Sequence, residues 1–371
     1  MKATRTYRGQ KKHKGEKFGG RPTGRLAARP VGRLALVFSI LALALLFGAG
    51  LSACTGGGTD NGAQTAADTS TADASSGTSA DAGTSSTAAT GPITVTDMSG
   101  QVVTLDGPAT SVVAIQPSDC EIIYALGAGD TLVGRGTYCN YPDAVNDVPV
   151  VESGSDMNAE QILALDPQVV IISPMAQSGE MEQAKILTDA GIKVVVDDAN
   201  TIDETYDSIN LLGAVLGKDA EAQALVDSMK TSFADIQSKS TGDGTRTIYF
   251  EVSPLAYGLW TAGSGTFLDE IAHMLGLTNA FADVSGWAQI SEEQVIERNP
   301  DYIVTVAMDY GDNGPGTVTE ILNRTGWGDM KAIKAGAVFD EDPDSAARPG
   351  PRLVDAAEGL YNFVYVDMAG Y

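Results

Sequence analysis

From Pro92 onward, short continuous apolar runs alternate with longer stretches in which apolar residues recur every three or four positions. Val112-Val-Ala-Ile115, Leu132-Val-Gly-Arg-Gly136, Val169-Val-Ile-Ile172, Lys193-Val-Val-Val196, Thr247-Ile-Tyr-Phe250, Tyr302-Ile-Val-Thr305 and Ala337-Val-Phe339 are the short runs. They read as strands buried on both faces. Helices are predicted between them over Ser118–Leu126, Asn158–Leu165, Glu180–Asp189, Thr201–Leu216 and Thr266–Leu275, with a last one opening at Arg348 and running to about Val366. Strands alternating with helices imply parallel sheets covered on both faces. Ile93–Thr96 and Val102–Leu105 instead alternate around Asp97-Met-Ser-Gly100, which predicts a hairpin.

One helix differs from the rest in length. Between Asp219 and Ser238, Ala222, Leu225, Val226, Met229, Phe233 and Ile236 form a single apolar stripe with no Gly or Pro to interrupt it. It would span roughly 30 Å. The chain on its two sides repeats itself. Glu160-Gln-Ile-Leu-Ala-Leu-Asp-Pro-Gln-Val-Val-Ile-Ile172 matches Glu293-Gln-Val-Ile-Glu-Arg-Asn-Pro-Asp-Tyr-Ile-Val-Thr305 in register. Each is a short helix, a stop before proline and a buried strand. The expectation is two similar α/β lobes with parallel sheets (92–218 and 241–371), joined by a single long rigid helix (219–240). A ligand cleft is expected between the lobes.

Composition adds an address. Residues 1–33 carry eleven Lys or Arg and one Glu, Leu34–Gly50 is apolar, and Leu51-Ser-Ala-Cys54 follows. This is the layout of a secretory signal (1–53). The Cys after Leu-Ser-Ala resembles the lipobox of bacterial lipoproteins, in which that thiol, here Cys54, receives lipid. Residues 54–91 are dominated by Ser, Thr, Ala, Gly and Asp and read as a disordered tether. Removal of 1–53 takes the formal charge from -24 to -34. So acidic a body is a poor partner for nucleic acid. The implied location is extracytoplasmic, anchored to the cell membrane. There an even pair of cysteines, Cys120 and Cys139, is expected to form a disulfide.

Ligands of open parallel sheets bind beyond the carboxyl ends of the strands. Those positions hold Gln116-Pro117-Ser118, Tyr138 to Pro142 with Tyr141, Met175, the loop carrying Tyr257 and Trp260, and Met308. Aromatics gathered at a cleft with few charges suit a large, flat, partly apolar ligand. The lone His after the tether, His273, lies in an apolar helix and reads as packed, so a bare transition metal is not the expected cargo. No Gly-x-Ser-x-Gly, Gly-x-x-x-x-Gly-Lys or His-Glu-x-x-His is present, and an enzyme is not expected.

Four stretches carry a family resemblance: Ala125-Leu-Gly-Ala-Gly-Asp130, Tyr138-Cys-Asn-Tyr-Pro142, Met157–Pro167 and Arg348-Pro-Gly-Pro-Arg352. With them, the body from Pro92 to the end resembles the periplasmic-binding-protein family of cobalamin, haem and ferric-siderophore importers, most of all the cobalamin receptors. The resemblance implies Tyr138, Trp260 and Trp287 as corrinoid contacts, and Arg348 lies near the expected cleft. It implies Glu160 and Glu293 as one docking carboxylate per lobe for an ABC permease, which works with its ATPase. It departs near Gly154, where those receptors carry a Trp, and so leaves a ferric siderophore or haem open as alternative cargo. The implied protein is a monomer with no resident cofactor.

Overall fold

The apolar runs assemble into two parallel sheets of matching strand order. The computed structural model describes residues 91–154, 157–173, 179–307 and 317–369. The signal, Cys54 and nearly all of the tether lie outside the described residues, as do Met175 and Met308.

The first lobe opens with the antiparallel hairpin β1 (Ile93–Thr96) and β2 (Val102–Leu105). There follow β3 (Val112–Ala114), α1 (Pro117–Ala125), β4 (Leu132–Gly136), β5 (Val150–Val151), α2 (Ala159–Leu163), β6 (Val169–Ile172), α3 (Gly179–Asp189), β7 (Lys193–Val196) and α4 (Ile202–Leu216). Its sheet has the order β5-β4-β3-β6-β7, parallel throughout. β3 and β6 are fully buried because helices cover both of their faces, which is why they read as unbroken apolar runs.

The second lobe holds β8 (Thr247–Glu251), β9 (Trp260–Ala262), α6 (Phe267–Met274), β10 (Thr278–Asn279), β11 (Trp287–Gln289), α7 (Glu292–Arg298) and β12 (Tyr302–Thr305). α8 (Thr317–Leu322), α9 (Lys331–Ala335), β13 (Val338–Asp340), α10 (Pro343–Ala346) and α11 (Leu353–Asn362) complete it. The sheet order is β10-β8-β12-β13, again parallel. It matches β4-β3-β6-β7 strand for strand. In each lobe the chain leaves a central strand through one helix to a neighbour on one side, then returns through a short helix to the other side.

The repeated motif has a repeated backbone. Asp166 and Asn299 are the positive-φ non-glycine residues among those described, at φ 48° and 47°, and each precedes a proline. A residue before proline avoids the right-handed helical region, and Asp and Asn tolerate the left-handed one. Asn299 caps α7 directly and Asp166 stands shortly past the end of α2, and each turns the chain into the following strand, β12 or β6.

α4 ends at Gly217, whose φ of 65° suits only glycine comfortably, and the chain turns directly into the joining helix α5 (Asp219–Lys239). α5 buries Ala222, Val226, Met229, Phe233 and Ile236 against α4, α6 and α11. The apolar cluster so formed runs without interruption from the first lobe to the second. A helix packed along its length into a shared core is held stiff by packing, not by propensity alone.

The end of the chain departs from expectation. Arg348 does not open the last helix. Pro349 and Pro351 deny helical conformation to the residues before them, so Arg348 lies in the turn between α10 and α11. His273 also departs: it is exposed on α6, 3.8 Å from Asp269, rather than packed. The buried face of α6 is Phe267, Leu268, Ile271 and Ala272, and position 273 falls on the far side of the helix from Ile271.

Candidate functional site

The carboxyl edges of the two sheets carry the loops that expose aromatic rings. Tyr138 and Tyr141 follow β4 and stand exposed, and Gln116, Pro117 and Ser118 follow the adjacent β3. The two loops meet closely. A Cβ at Gly136 would lie 1.9 Å from the carbonyl oxygen of Ile115, so only glycine permits this approach. Gln116 is half-buried and its amide nitrogen donates to the Asp197 carbonyl (2.9 Å) at the end of β7. Ser118 is buried under Gly350 and presents little surface. Tyr141 precedes Pro142 through a cis peptide bond.

In the second lobe, Tyr257 and Trp260 are exposed. β9 pairs antiparallel with β11, setting Trp260 opposite Gln289 and Trp287 opposite Ala262. Trp260 and Trp287 therefore share one face of the ribbon, two positions apart. Trp287 is half-buried against Phe267, ring centres 5.2 Å apart, and its indole N–H donates to Asn200 Oδ1 (3.1 Å) of the first lobe. Asn200 also accepts the Phe267 backbone N–H through its carbonyl (2.7 Å), and the Ile202 N–H reaches Glu270 Oε2 (2.7 Å). Trp287 is thus as much a clasp between lobes as a face for a ligand.

Arg348 corrects the sequence reading more strongly. Its side chain is 5% exposed. It donates to Glu121 Oε1 (3.1 Å), to Asn140 Oδ1 (2.7 Å), to the Tyr138 carbonyl (3.4 Å) and to Asp344. Arg352 adds two bonds to Glu121 (2.9 and 2.6 Å) and lies 4.2 Å from the ring centre of Tyr141. The pair of arginines ties the second lobe to α1 and to the Tyr138 loop. Buried arginine needs a carboxylate at hand, and Glu121 supplies it.

The cysteines need a correction too. Cys120 and Cys139 are both buried and both free. Adjacent strand ends do bring them together, as their spacing predicts, and the neighbouring Cys120 thiol holds the Cys139 pKa below its ordinary value. Each thiol is also directed at a backbone carbonyl, of Ala114 and Ile115 respectively (3.8 Å), and no S–S bond is formed.

Beneath the first-lobe edge lies a pair of buried acids. Burial, then the neighbouring Asp197 carboxyl, pushes Asp119 well up; burial raises Asp197 as well, against the Ser208 hydroxyl that donates to it. A carboxyl whose pKa rises on folding keeps its proton in the folded state where the unfolded chain has lost it. Its contribution is complete below the ordinary Asp value of about 3.9 and drains away as pH rises toward the folded value. Asp119→Asn removes the titrating carboxyl beside Asp197 and keeps that position neutral at every pH. Its Tm should therefore exceed that of the wild type by a margin that widens from pH 5 to pH 8. A constant margin in thermal melts would show that Asp119 does not titrate in this way.

At the second-lobe edge, burial pushes Glu341 up to about 7, and Glu251 at the end of β8 pairs with Arg324 through two bonds of 2.9 Å. The Arg324 guanidinium stacks 4.2 Å from the Trp327 ring centre, and the Trp327 indole N–H donates to Glu292 Oε2 (3.0 Å). That bond braces the first turn of α7, where Glu293 stands exposed. Glu160 is likewise exposed in the first turn of α2, and its N–H donates to the Asn158 side chain (3.0 Å). Since α2 and α7 lead back into β6 and β12, both carboxylates lie toward the carboxyl edge of their own sheet. Among the described residues no group of three or more His, Cys, Asp or Glu is placed to hold a metal ion.

Sequence reasoning missed Glu121, Asn140, Asn200 and Asp344, the polar residues that join the lobes. Their partners are distant in sequence, and nothing local marks them.

The chain matches the family model described as periplasmic binding protein over residues 112–345. It is 37% identical over 280 residues to the uncharacterized ABC transporter substrate-binding lipoprotein YvrC of Bacillus subtilis (strain 168), covering 74% of this chain and 86% of that one. It is 30% identical over 259 residues to the vitamin B12-binding protein of Salmonella typhimurium (68% and 90% covered). A crystal structure from Staphylococcus epidermidis, described as a possible iron-binding (periplasmic solute-binding) protein, superposes with a TM-score of 0.61 at 29% identity, covering 69% of this chain and 99% of that one. With two lobes of matching parallel sheet and aromatic loops at their carboxyl edges, the chain belongs to the periplasmic binding protein family, as an ABC transporter substrate-binding protein and not an enzyme.

Proposed function

We propose that the protein is a membrane-tethered receptor that captures a corrinoid and delivers it to an ABC permease, with its ATPase on the far side of the membrane. The observation that carries the ligand is the charge state of the aromatic edges. Tyr138, Tyr141, Tyr257 and Trp260 offer flat apolar faces. The arginines nearby are already engaged: Arg135 by the carbonyls of Val148 and Cys139, Arg324 by Glu251 and Glu320, Arg348 and Arg352 by Glu121. A ligand with several exposed anionic groups, such as a ferric catecholate or the propionates of haem, would meet acids and no free guanidinium. A corrinoid, whose periphery is rich in neutral amides, suits aromatic faces rimmed by acceptors. Glu160 and Glu293 serve as the permease-docking carboxylates, the protein acts as a monomer, and lipid on Cys54 holds it at the membrane.

Trp fluorescence tests this reading. Cyanocobalamin should quench Trp260 and Trp287 with saturation at micromolar concentration or below, about -8 kcal/mol or better. Haemin and a ferric hydroxamate should do so at least about tenfold more weakly, a difference of about 1.4 kcal/mol. Saturation by haemin or the hydroxamate, with cyanocobalamin silent, would replace the corrinoid with the iron ligand.

A further inference from the structure

The loop after β4 belongs to the first lobe by sequence, yet much of what fastens it belongs to the second. Asn140 Oδ1 accepts from Arg348 Nη1 (2.7 Å), and Asn140 Nδ2 donates to Asp344 Oδ2 (2.8 Å). The Tyr138 carbonyl accepts from Arg348 Nη2 (3.4 Å), and Tyr141 carries the Arg352 guanidinium on its ring. From its own lobe the Arg135 guanidinium donates to the Cys139 carbonyl (2.5 Å), and the Thr137 N–H donates to the Ser153 hydroxyl oxygen (3.1 Å). The anchor is rigid before it reaches the loop, since Arg348 is buried and held by Glu121 and Asp344.

We propose that Asn140 is a positioning residue for ligand capture: it pins the Tyr138–Tyr141 loop of the first lobe to the Asp344–Arg348 anchor of the second. The ligand step rests on the reading that these aromatics hold the cargo. The chemistry explains the residue type. Arg348 is donor only and the Asp344 carboxylate acceptor only, and a single short side chain must answer both. Asn does so with one oxygen and one NH2. Asp would lose the donor and face Asp344 with like charge; Ala would lose both bonds. The pin keeps the first-lobe rings in place relative to Tyr257 and Trp260 across the cleft. Preorganisation of this kind acts on affinity, because a receptor whose competent state is only a fraction populated binds weaker by that fraction.

Asn140 is itself exposed, and Arg348 keeps Glu121 and Asp344 when it is removed, so no buried charge is stranded. N140A and N140D should therefore fold, with Tm lowered by no more than about 3 °C. The ligand-free full chain would first be followed by amide hydrogen exchange. Peptides covering 137–142 should exchange about tenfold faster in both variants, with α5 and β3 unchanged, a local opening that a general loss of stability does not produce. Cyanocobalamin titration should then show affinity about tenfold weaker in N140A. Unchanged exchange in both variants overturns the pin. Faster exchange with unchanged affinity overturns its role in capture. A wild type silent to cyanocobalamin defeats the corrinoid reading instead, and the exchange comparison alone then decides the pin.

Discussion

Glu121→Gln should destabilise the protein by about 3–5 kcal/mol, because it removes the buried carboxylate that Arg348 and Arg352 share and leaves them only the more exposed Asp344 and Asp342. At ~2–4 °C per kcal/mol for a chain of this size, Tm should fall by about 10 °C. The figure follows from burial. Glu121 is 2% exposed, Arg348 5% and Arg352 15%, and one carboxylate answers both guanidinium groups. The amide of Gln can accept only weakly and brings an N–H toward groups that are themselves donors. A second comparison separates charge from packing. Lys185→Ala breaks the surface pair with Asp189, whose partners are 71% and 66% exposed, and should change stability by less than about 1 kcal/mol. Urea denaturation of both variants checks the contrast. If Glu121→Gln costs no more than Lys185→Ala, the knot between the lobes contributes little to folding.

How much of this was legible from sequence depends on how local the cause is. β6 could be read to the residue, because a strand buried on two faces has no choice but to be apolar along its length; β4 and β7 could be read as closely, although Arg135 and the exposed Lys193 break their apolar runs. The doubled unit was legible for the same reason, with Asp166-Pro and Asn299-Pro marking equivalent stops. The ribbon of β9 and β11 was not. Its strands are three residues each, pair across a loop and a helix, and show no alternation. Arg348 could be placed near the cleft, but its partner Glu121 is 227 positions away, and a charge in a loop reads as exposed until that partner is known. His273 failed at finer grain: an apolar helix was recognised, but not which side of it the His occupies. The cysteine pair divides the same way. Topology brings Cys120 and Cys139 together, whereas bridging depends on side-chain geometry that spacing does not contain.

Reversing both Glu160 and Glu293 to Lys should leave ligand affinity within about twofold and reduce transport by at least about tenfold, or about 1.4 kcal/mol. The two residues occupy equivalent places, each exposed in the first turn of the short helix that returns to the central strands of its lobe. Neither first turn is left to chance. Asn158 accepts the backbone N–H groups of Glu160 and Gln161, and Ser291 with Gln294 forms a reciprocal capping box at α7. Both carboxylates therefore project from fixed backbone, and α5, packed into a core continuous between the lobes, fixes the distance between them. Two negative groups at constant spacing suit a permease with matching cations, and association between such groups is steered by charge and weakened by salt. Lys at a helix N-terminus opposes the dipole, so a small fall in Tm is expected as well. That fall is the whole effect if the carboxylates merely stabilise their helices. Permease ATPase stimulation in proteoliposomes, measured at low and high salt beside a ligand titration, tells the two apart. A double variant that binds its ligand, melts slightly lower and still stimulates the transporter as the wild type does would end the docking assignment.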